Sequence, residues 1–289
     1  MIKGNIVAMI TPFNVNGTIN YQEINKLINK MILNGVDGVL VLGSTGEANL
    51  LTEEEANGLL YYVVNLVDKR MKVIAGISSG ATDEAINRAV RYEEIGADAL
   101  LVSPPYYVKP NEDGIFIHYS LLSSCVKTPI IIYNIPSRSG VDISIECLLK
   151  LKKITNILGV KESNKDIDHI LNLAHICDNN FYLYCGNDEL SYLFLSLNAK
   201  GIINVVGNLD SKIIGDLINI YEDNSLSAYK YFKENYEFLK CLTIDSNPVP
   251  IKALLLYLNE INGGVRLPLV NLSEEKLNFL VKIYKKVKI

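Results

Sequence analysis

Gly35-Val36-Asp37-Gly38-Val39-Leu40-Val41 and Gly96-Ala97-Asp98-Ala99-Leu100-Leu101-Val102 are two copies of one pattern. In each, a glycine ends a helical run, a position that favours a residue free to take positive φ. An aspartate and a short apolar run follow. The run is too short for a helix and reads as a strand buried on both faces, as in a parallel sheet covered by helices. Ala199-Lys200-Gly201-Ile202-Ile203 is a looser third copy.

The same rhythm extends in both directions. Strands are expected at Ile6–Ile10, Gly38–Leu42, Val73–Gly76, Ala99–Val102, Ile130–Tyr133, Ile157–Val160, Tyr182–Cys185 and Gly201–Val206. They recur at roughly 25–35 residues, the spacing of a barrel in which about 250 residues make eight strand–helix units. Thr52 and Glu55 form a T-x-x-E capping box ahead of Leu59-Leu60, and Asn16-Gly17 signals a tight turn after the first strand. No G-x-G-x-x-G follows that strand, so an open dinucleotide-type sheet has little support. The fold class expected is α/β, a (β/α)8 TIM barrel over residues 1–224. Near Ser225 the rhythm changes. Ser225–Leu242, Pro250–Ile261 and Ser273–Lys288 read as helices, with Ser273 as a cap. Residues 225–289 are thus expected to form a small C-terminal helical domain. No Pro/Gly/Ser-rich linker precedes it, so it should dock on the barrel.

Composition narrows the function. The chain has 289 residues, 49% hydrophobic, with a formal net charge of −4. That length accommodates one large domain with a small addition, or two ordinary ones. No basic block points to nucleic acid, and no apolar run of about 18 residues points to a membrane span. The N-terminus runs straight into a strand and lacks the pattern of a signal peptide. Five scattered cysteines suggest reduced thiols and a cytoplasmic protein rather than a disulfide framework. His118, His169 and His175 have no partner at metal-ligand spacing, so no metal site is expected.

A barrel brings its chemistry to the C-terminal ends of its strands. Those ends carry Thr11-Pro12-Phe13, Gly43-Ser44-Thr45-Gly46-Glu47, Ser103-Pro104-Pro105-Tyr106-Tyr107, Tyr133-Asn134-Ile135-Pro136-Ser137-Arg138-Ser139-Gly140, Lys161, Gly186-Asn187-Asp188-Glu189, and Asn204 with Gly207-Asn208. Lys161 ends the apolar run Ile157–Val160. Desolvation there favours the neutral amine, which can attack a ketone to form a Schiff base. On this segment alone a solvated lysine at a strand end is the default alternative. The Gly43–Gly46 turn offers two hydroxyls and backbone N–H groups that could hold the carboxylate of an α-keto acid, or it is a plain βα turn. Tyr133 stands on the neighbouring strand as a proton-transfer phenol or a core-edge tyrosine. Arg138 could grip a second carboxylate or simply be exposed. Tyr106 and Tyr107 project from a proline-stiffened loop and suit a subunit contact as well as chemistry. Glu162 should point to the face opposite Lys161 and is given no catalytic role.

With these residues together the chain resembles the dihydrodipicolinate synthase / N-acetylneuraminate lyase family of pyruvate-dependent class I aldolases. The resemblance runs from Thr11-Pro12-Phe13 through the turn, the tyrosine–arginine segment and Gly159-Val160-Lys161 to Asn247-Pro248-Val249-Pro250-Ile251-Lys252. It implies Lys161 as the Schiff-base lysine and Tyr133 as the proton-transfer phenol. Ser44 would link Tyr133 to the partner subunit's Tyr107. Ser44 and Thr45 would hold pyruvate, with Gly186 and Ile203 shaping its pocket. Arg138 occupies the place where the synthase branch binds the carboxylate of L-aspartate 4-semialdehyde. The activity implied is condensation of pyruvate with that aldehyde to 4-hydroxy-tetrahydrodipicolinate, the first committed step of diaminopimelate and lysine biosynthesis. It needs no cofactor and is carried out by a homotetramer built as a dimer of dimers.

The sequence also departs from the synthase pattern. Ser44 stands where threonine is usual, Asn204 where serine is common at the pocket edge, and Asn187-Asp188-Glu189 has a lyase-like character. The alternative is therefore another pyruvate aldolase, acting on sialic acid or a keto-deoxy sugar acid. Ala48, Glu53, Ala56 and Gly80 replace the polar residues of the family's lysine-feedback pocket, although Glu84 and Tyr106 remain. Weak or absent inhibition by lysine is expected. A catalytically silent barrel and a phosphate-binding barrel are the rivals from other classes.

Overall fold

The structure, a computed structural model, describes residues 2–287. Eight parallel strands close into a barrel in sequence order. They are β1 (Gly4–Ala8), β2 (Gly38–Val41), β3 (Lys72–Ile77), β4 (Ala99–Val102), β5 (Ile130–Asn134), β6 (Ile157–Glu162), β7 (Tyr182–Cys185) and β8 (Gly201–Asn204). β8 pairs with β1, from Gly4 opposite Gly201 to Val7 opposite Asn204. Helices such as Tyr21–Leu33, Glu53–Val67 and Thr82–Ile95 form the outer ring.

Strand alternation splits the core into two layers. Ile6, Leu40, Ile74, Leu101, Ile131, Tyr133, Tyr184 and Ile203 fill the barrel interior. Val7, Val39, Val73, Leu100, Ile132, Val160 and Ile202 face outward into the helix ring. The repeated aspartates have matching uses. Asp37 accepts from the backbone N–H of Asn5 at 2.8 Å, and Asp98 from that of Val73 at 2.9 Å. Each ties the start of its strand to the strand before it. The Thr52–Glu55 capping box is formed in both directions, an arrangement worth about 1 kcal/mol.

Three strands end earlier than their apolar runs suggest, and β2 stops at Val41 because Leu42 turns to φ 60°. The backbone N–H of Ile10 goes to Asn208 Oδ1 rather than to the ladder. The N–H groups of Val205 and Val206 are taken by the Asp188 carboxylate at 3.0 and 2.7 Å. Side-chain acceptors thus replace strand pairing at the barrel mouth.

Beyond the barrel come helices Ser225–Cys241, Val249–Tyr257 and Glu274–Val287. The second stops short of the expected Ile261 because Asn259 adopts a left-handed conformation, with φ 56°. Ser273 Oγ accepts from the N–H of Lys276 at 3.4 Å, in the expected capping position. Lys288, the expected end of the last helix, lies outside the described residues. No helix among the described residues is long and apolar enough to cross a membrane.

Candidate active site

Lys161 and Tyr133 are register partners on β6 and β5. The lysine is 4% exposed and the tyrosine 9%. Lys161 Nζ lies 4.1 Å from the centre of the Tyr133 ring. Both side chains point into the barrel, at the end where the loops gather. Gly186 follows β7 beside them. A Cβ there would lie 3.1 Å from Lys161 Cε and 2.6 Å from the Glu162 carbonyl oxygen, so glycine leaves room for the lysine side chain. Ile203 is 1% exposed in the same interior layer.

A cavity of about 340 Å³ opens over Tyr133, while Lys161, Gly186 and Ile203 lie outside its lining. Its lining includes Gly43, Ser44, Tyr133, Arg138 and Asn247. The Gly43–Glu47 turn is held from several sides. Thr11 Oγ1 donates to the Gly46 carbonyl at 2.6 Å. Asn247 Nδ2 donates to Thr45 Oγ1 at 2.8 Å. The carboxylate of Glu47 is ion-paired with Lys252 and accepts from the N–H of Arg266 at 2.8 Å. Arg138 sits on the one-turn helix Pro136–Ser139, and its Nη2 donates to the Asn247 carbonyl at 2.7 Å.

The turn and the arginine therefore bring hydroxyl, backbone N–H and guanidinium donors to one cavity, beside a phenol and the buried amine behind it. That arrangement suits two small reactants with one carboxylate each, and chemistry at a ketone carbon.

Other expected residues lie elsewhere. Tyr107 is 90% exposed and does not line the cavity, although Tyr106 does. Asn204, expected at the pocket edge, faces out of the barrel. Its Nδ2 donates to Asn5 Oδ1 at 2.8 Å, and its Oδ1 accepts from the N–H of Gly207 at 2.9 Å. Alternation explains the difference, since Ile203 takes the inward position. Glu162 is fully buried on the outward face, as expected. It accepts from Asn134 Nδ2 at 2.9 Å and lies 3.1 Å from His169 Nε2. Asp188 is buried, and burial pushes its carboxyl up to about 6.

Lys252 was legible only as part of a motif. It is fully buried, with Nζ 3.0 Å from the Gly264 carbonyl and 4.1 Å from the Phe13 ring centre. Burial pushes its ammonium down to about 8, against the opposing pull of Glu47. A single charge inside the apolar run Val249-Pro250-Ile251-Lys252-Ala253-Leu254-Leu255 is the signal that could have pointed to a buried partner.

Residues 1–287 match the Dihydrodipicolinate synthetase family. A 4-hydroxy-tetrahydrodipicolinate synthase of Syntrophus aciditrophicus is 37% identical over 288 residues, covering 98% of this chain and 99% of the relative. A solved 4-hydroxy-tetrahydrodipicolinate synthase from Methylacidiphilum fumariolicum superposes with a TM-score of 0.96 at 34% identity, covering 100% of this chain and 96% of that one. A chloride-inhibited dihydrodipicolinate synthase from Acinetobacter baumannii, solved with pyruvate, gives a TM-score of 0.97 at 31% identity, covering both chains completely (100% of each).

Proposed function

The chain belongs to the dihydrodipicolinate synthetase family, and from that premise we propose that it condenses pyruvate with L-aspartate 4-semialdehyde to 4-hydroxy-tetrahydrodipicolinate. The observation that carries the reading is the buried Lys161 facing the ring of Tyr133, which lines one cavity together with Gly43, Ser44 and Arg138.

The Lys161 amine attacks the ketone carbon of pyruvate. Tyr133 relays protons as the carbinolamine loses water to give the imine. The imine acidifies the pyruvate methyl group, and loss of one proton gives an enamine. Its terminal carbon attacks the aldehyde of the semialdehyde, forming the new C–C bond. The amine of that substrate then attacks the imine carbon and expels Lys161, closing the ring. The lysine is restored, and one water leaves overall. The imine is the electron sink, so the chemistry calls for no separate cofactor. Ser44 and Thr45 hold the pyruvate carboxylate, Arg138 holds that of the semialdehyde, and Gly186 and Ile203 bound the pyruvate pocket.

Tyr107, exposed and at φ 70°, is assigned to a subunit contact. There it reaches the partner's Ser44 and joins a proton relay in a homotetramer. The free thiols, with Cys147, Cys185 and Cys241 buried, suit a cytoplasmic setting. Borohydride reduction in the presence of pyruvate, followed by mass mapping, tests the imine. Turnover with aspartate semialdehyde tests the second substrate. A pyruvate adduct on Lys161 with rapid turnover is expected. An adduct without turnover would move the search to other aldehydes, and no adduct would overturn the aldolase reading.

A further inference from the structure

Asn247 touches both the turn and the arginine at the cavity. Its side-chain amide donates to Thr45 Oγ1 at 2.8 Å, and its backbone carbonyl accepts from Arg138 Nη2 at 2.7 Å. One residue thus stands between the turn assigned to the keto acid and the arginine assigned to the aldehyde substrate.

The polarity of the first bond has a chemical consequence. A threonine hydroxyl has one proton and two lone pairs. With the amide N–H aimed at Thr45 Oγ1, a lone pair is occupied and the hydroxyl proton is kept away from Asn247, whose own Oδ1 is then buried without a partner. Among the described residues none accepts that proton. Thr45 is 3% exposed, in the same turn as the cavity-lining Gly43 and Ser44. A carboxylate oxygen bound at that turn would complete the hydroxyl, through a hydrogen bond strengthened by the negative charge.

The segment that carries Asn247 is itself anchored to the same turn. Lys252, in the helix Val249–Tyr257, pairs with Glu47, two residues beyond Thr45. The N–H of Arg266 takes the other Glu47 oxygen. The turn is therefore gripped at Thr45 and at Glu47 by one short stretch of chain.

We propose that Asn247 is a positioning residue for keto-acid binding, which directs the Thr45 hydroxyl proton toward the bound carboxylate while tying that turn to Arg138. The inference rests on the pyruvate-aldolase reading of the site.

The test is imine trapping by borohydride across a range of pyruvate concentrations, without aldehyde. The proteins compared are the native chain, Asn247→Asp, Asn247→Ala, Thr45→Val, and Thr45→Val with Asn247→Ala. Aspartate keeps the shape of asparagine but replaces the donor with an acceptor, which draws the Thr45 proton away from pyruvate. The half-saturating pyruvate concentration should rise about tenfold or more in Asn247→Asp, and less in Asn247→Ala. Adding Asn247→Ala to Thr45→Val should move it less than about twofold further, because the bond is already gone. A purely structural role would reverse the order, with aspartate milder than alanine and the two losses additive. That result, or unchanged half-saturation in Asn247→Asp, would overturn the inference while native trapping stays intact. Absence of the native adduct would instead overturn the aldolase reading, and the inference with it.

Discussion

Gly159, not Leu158, is the ladder partner of Ile131. Ile130 pairs with Ile157, so β6 carries one extra residue at this point. Regular alternation from the outward Ile157 would make Lys161 outward as well. The bulge changes the phase. Val160 returns to the outer layer, and Lys161 turns inward beside Tyr133. Re-aiming a side chain is a recognised use of such bulges. A Cβ at Gly159 would lie 2.0 Å from the Tyr182 carbonyl oxygen. Gly159→Ala should therefore push β6 from β7 and cost about 2–4 kcal/mol. Urea unfolding measures the loss. Native-like stability would show that β6 accommodates the methyl group and would undo this account of the bulge.

Tyr133→Phe keeps the ring against Lys161 Nζ but removes the phenol. If the phenol moves protons, the rate of imine formation should fall roughly 10²–10⁴-fold, with the adduct still mapping to Lys161. Stopped-flow trapping measures that rate. A loss below tenfold would leave Tyr133 as a packing residue only.

Arg138→Ala should separate the two substrates. Its guanidinium is fixed through the Asn247 carbonyl, and the Thr45 bond is made by the side chain of Asn247. Removing the guanidinium should raise the KM for aspartate semialdehyde about 10–100-fold, the scale of a lost charge-assisted hydrogen bond. Half-saturating pyruvate in imine trapping should change by less than about threefold. A parallel loss in both would mean that Arg138 organises the whole cavity.

The repeat at Gly35 and Gly96 was enough to phase the barrel, since a short doubly buried strand has few alternatives in a parallel sheet. β4 and β7 were legible to the residue, because proline or glycine follows each closely. Strand ends set by side-chain acceptors, as at Asp188 and Asn208, were not legible. Those acceptors come from distant parts of the chain. The inward turn of Lys161 follows from the family motif, whereas plain alternation along β6 gives the opposite face. Asn204 failed for the converse reason. It lies next to a true interior residue, and one step along a strand changes the face.

The resemblance places Ala48, Glu53, Ala56 and Gly80 where some family members carry the polar residues of a lysine-feedback pocket. Glu84, one of the retained residues, is already engaged by Ser79 Oγ at 2.6 Å and by Arg88 at 2.5 Å. Free lysine should inhibit turnover weakly or not at all. Initial rates over a lysine titration decide it, and a micromolar inhibition constant would defeat the expectation.

His169 offers a pH-dependent contribution to stability on the face of β6 opposite Lys161. Its hydrogen bond to Glu162, and to a lesser degree the negative charges of Glu162, Asp142 and Asp166, hold its pKa above the usual value, against the opposing effect of burial. The folded state thus keeps the proton to higher pH than the unfolded chain does. By linkage, the stabilisation is complete below about pH 6.5, the unfolded value, and is lost as pH rises through the folded pKa. His169→Gln should remove this part of the slope while keeping a polar side chain near Glu162. Urea midpoints for both proteins at pH 6, 7, 8 and 9 should converge toward the alkaline end, with the native protein ahead at pH 6. Parallel curves across that range would show that His169 does not titrate against Glu162 on folding.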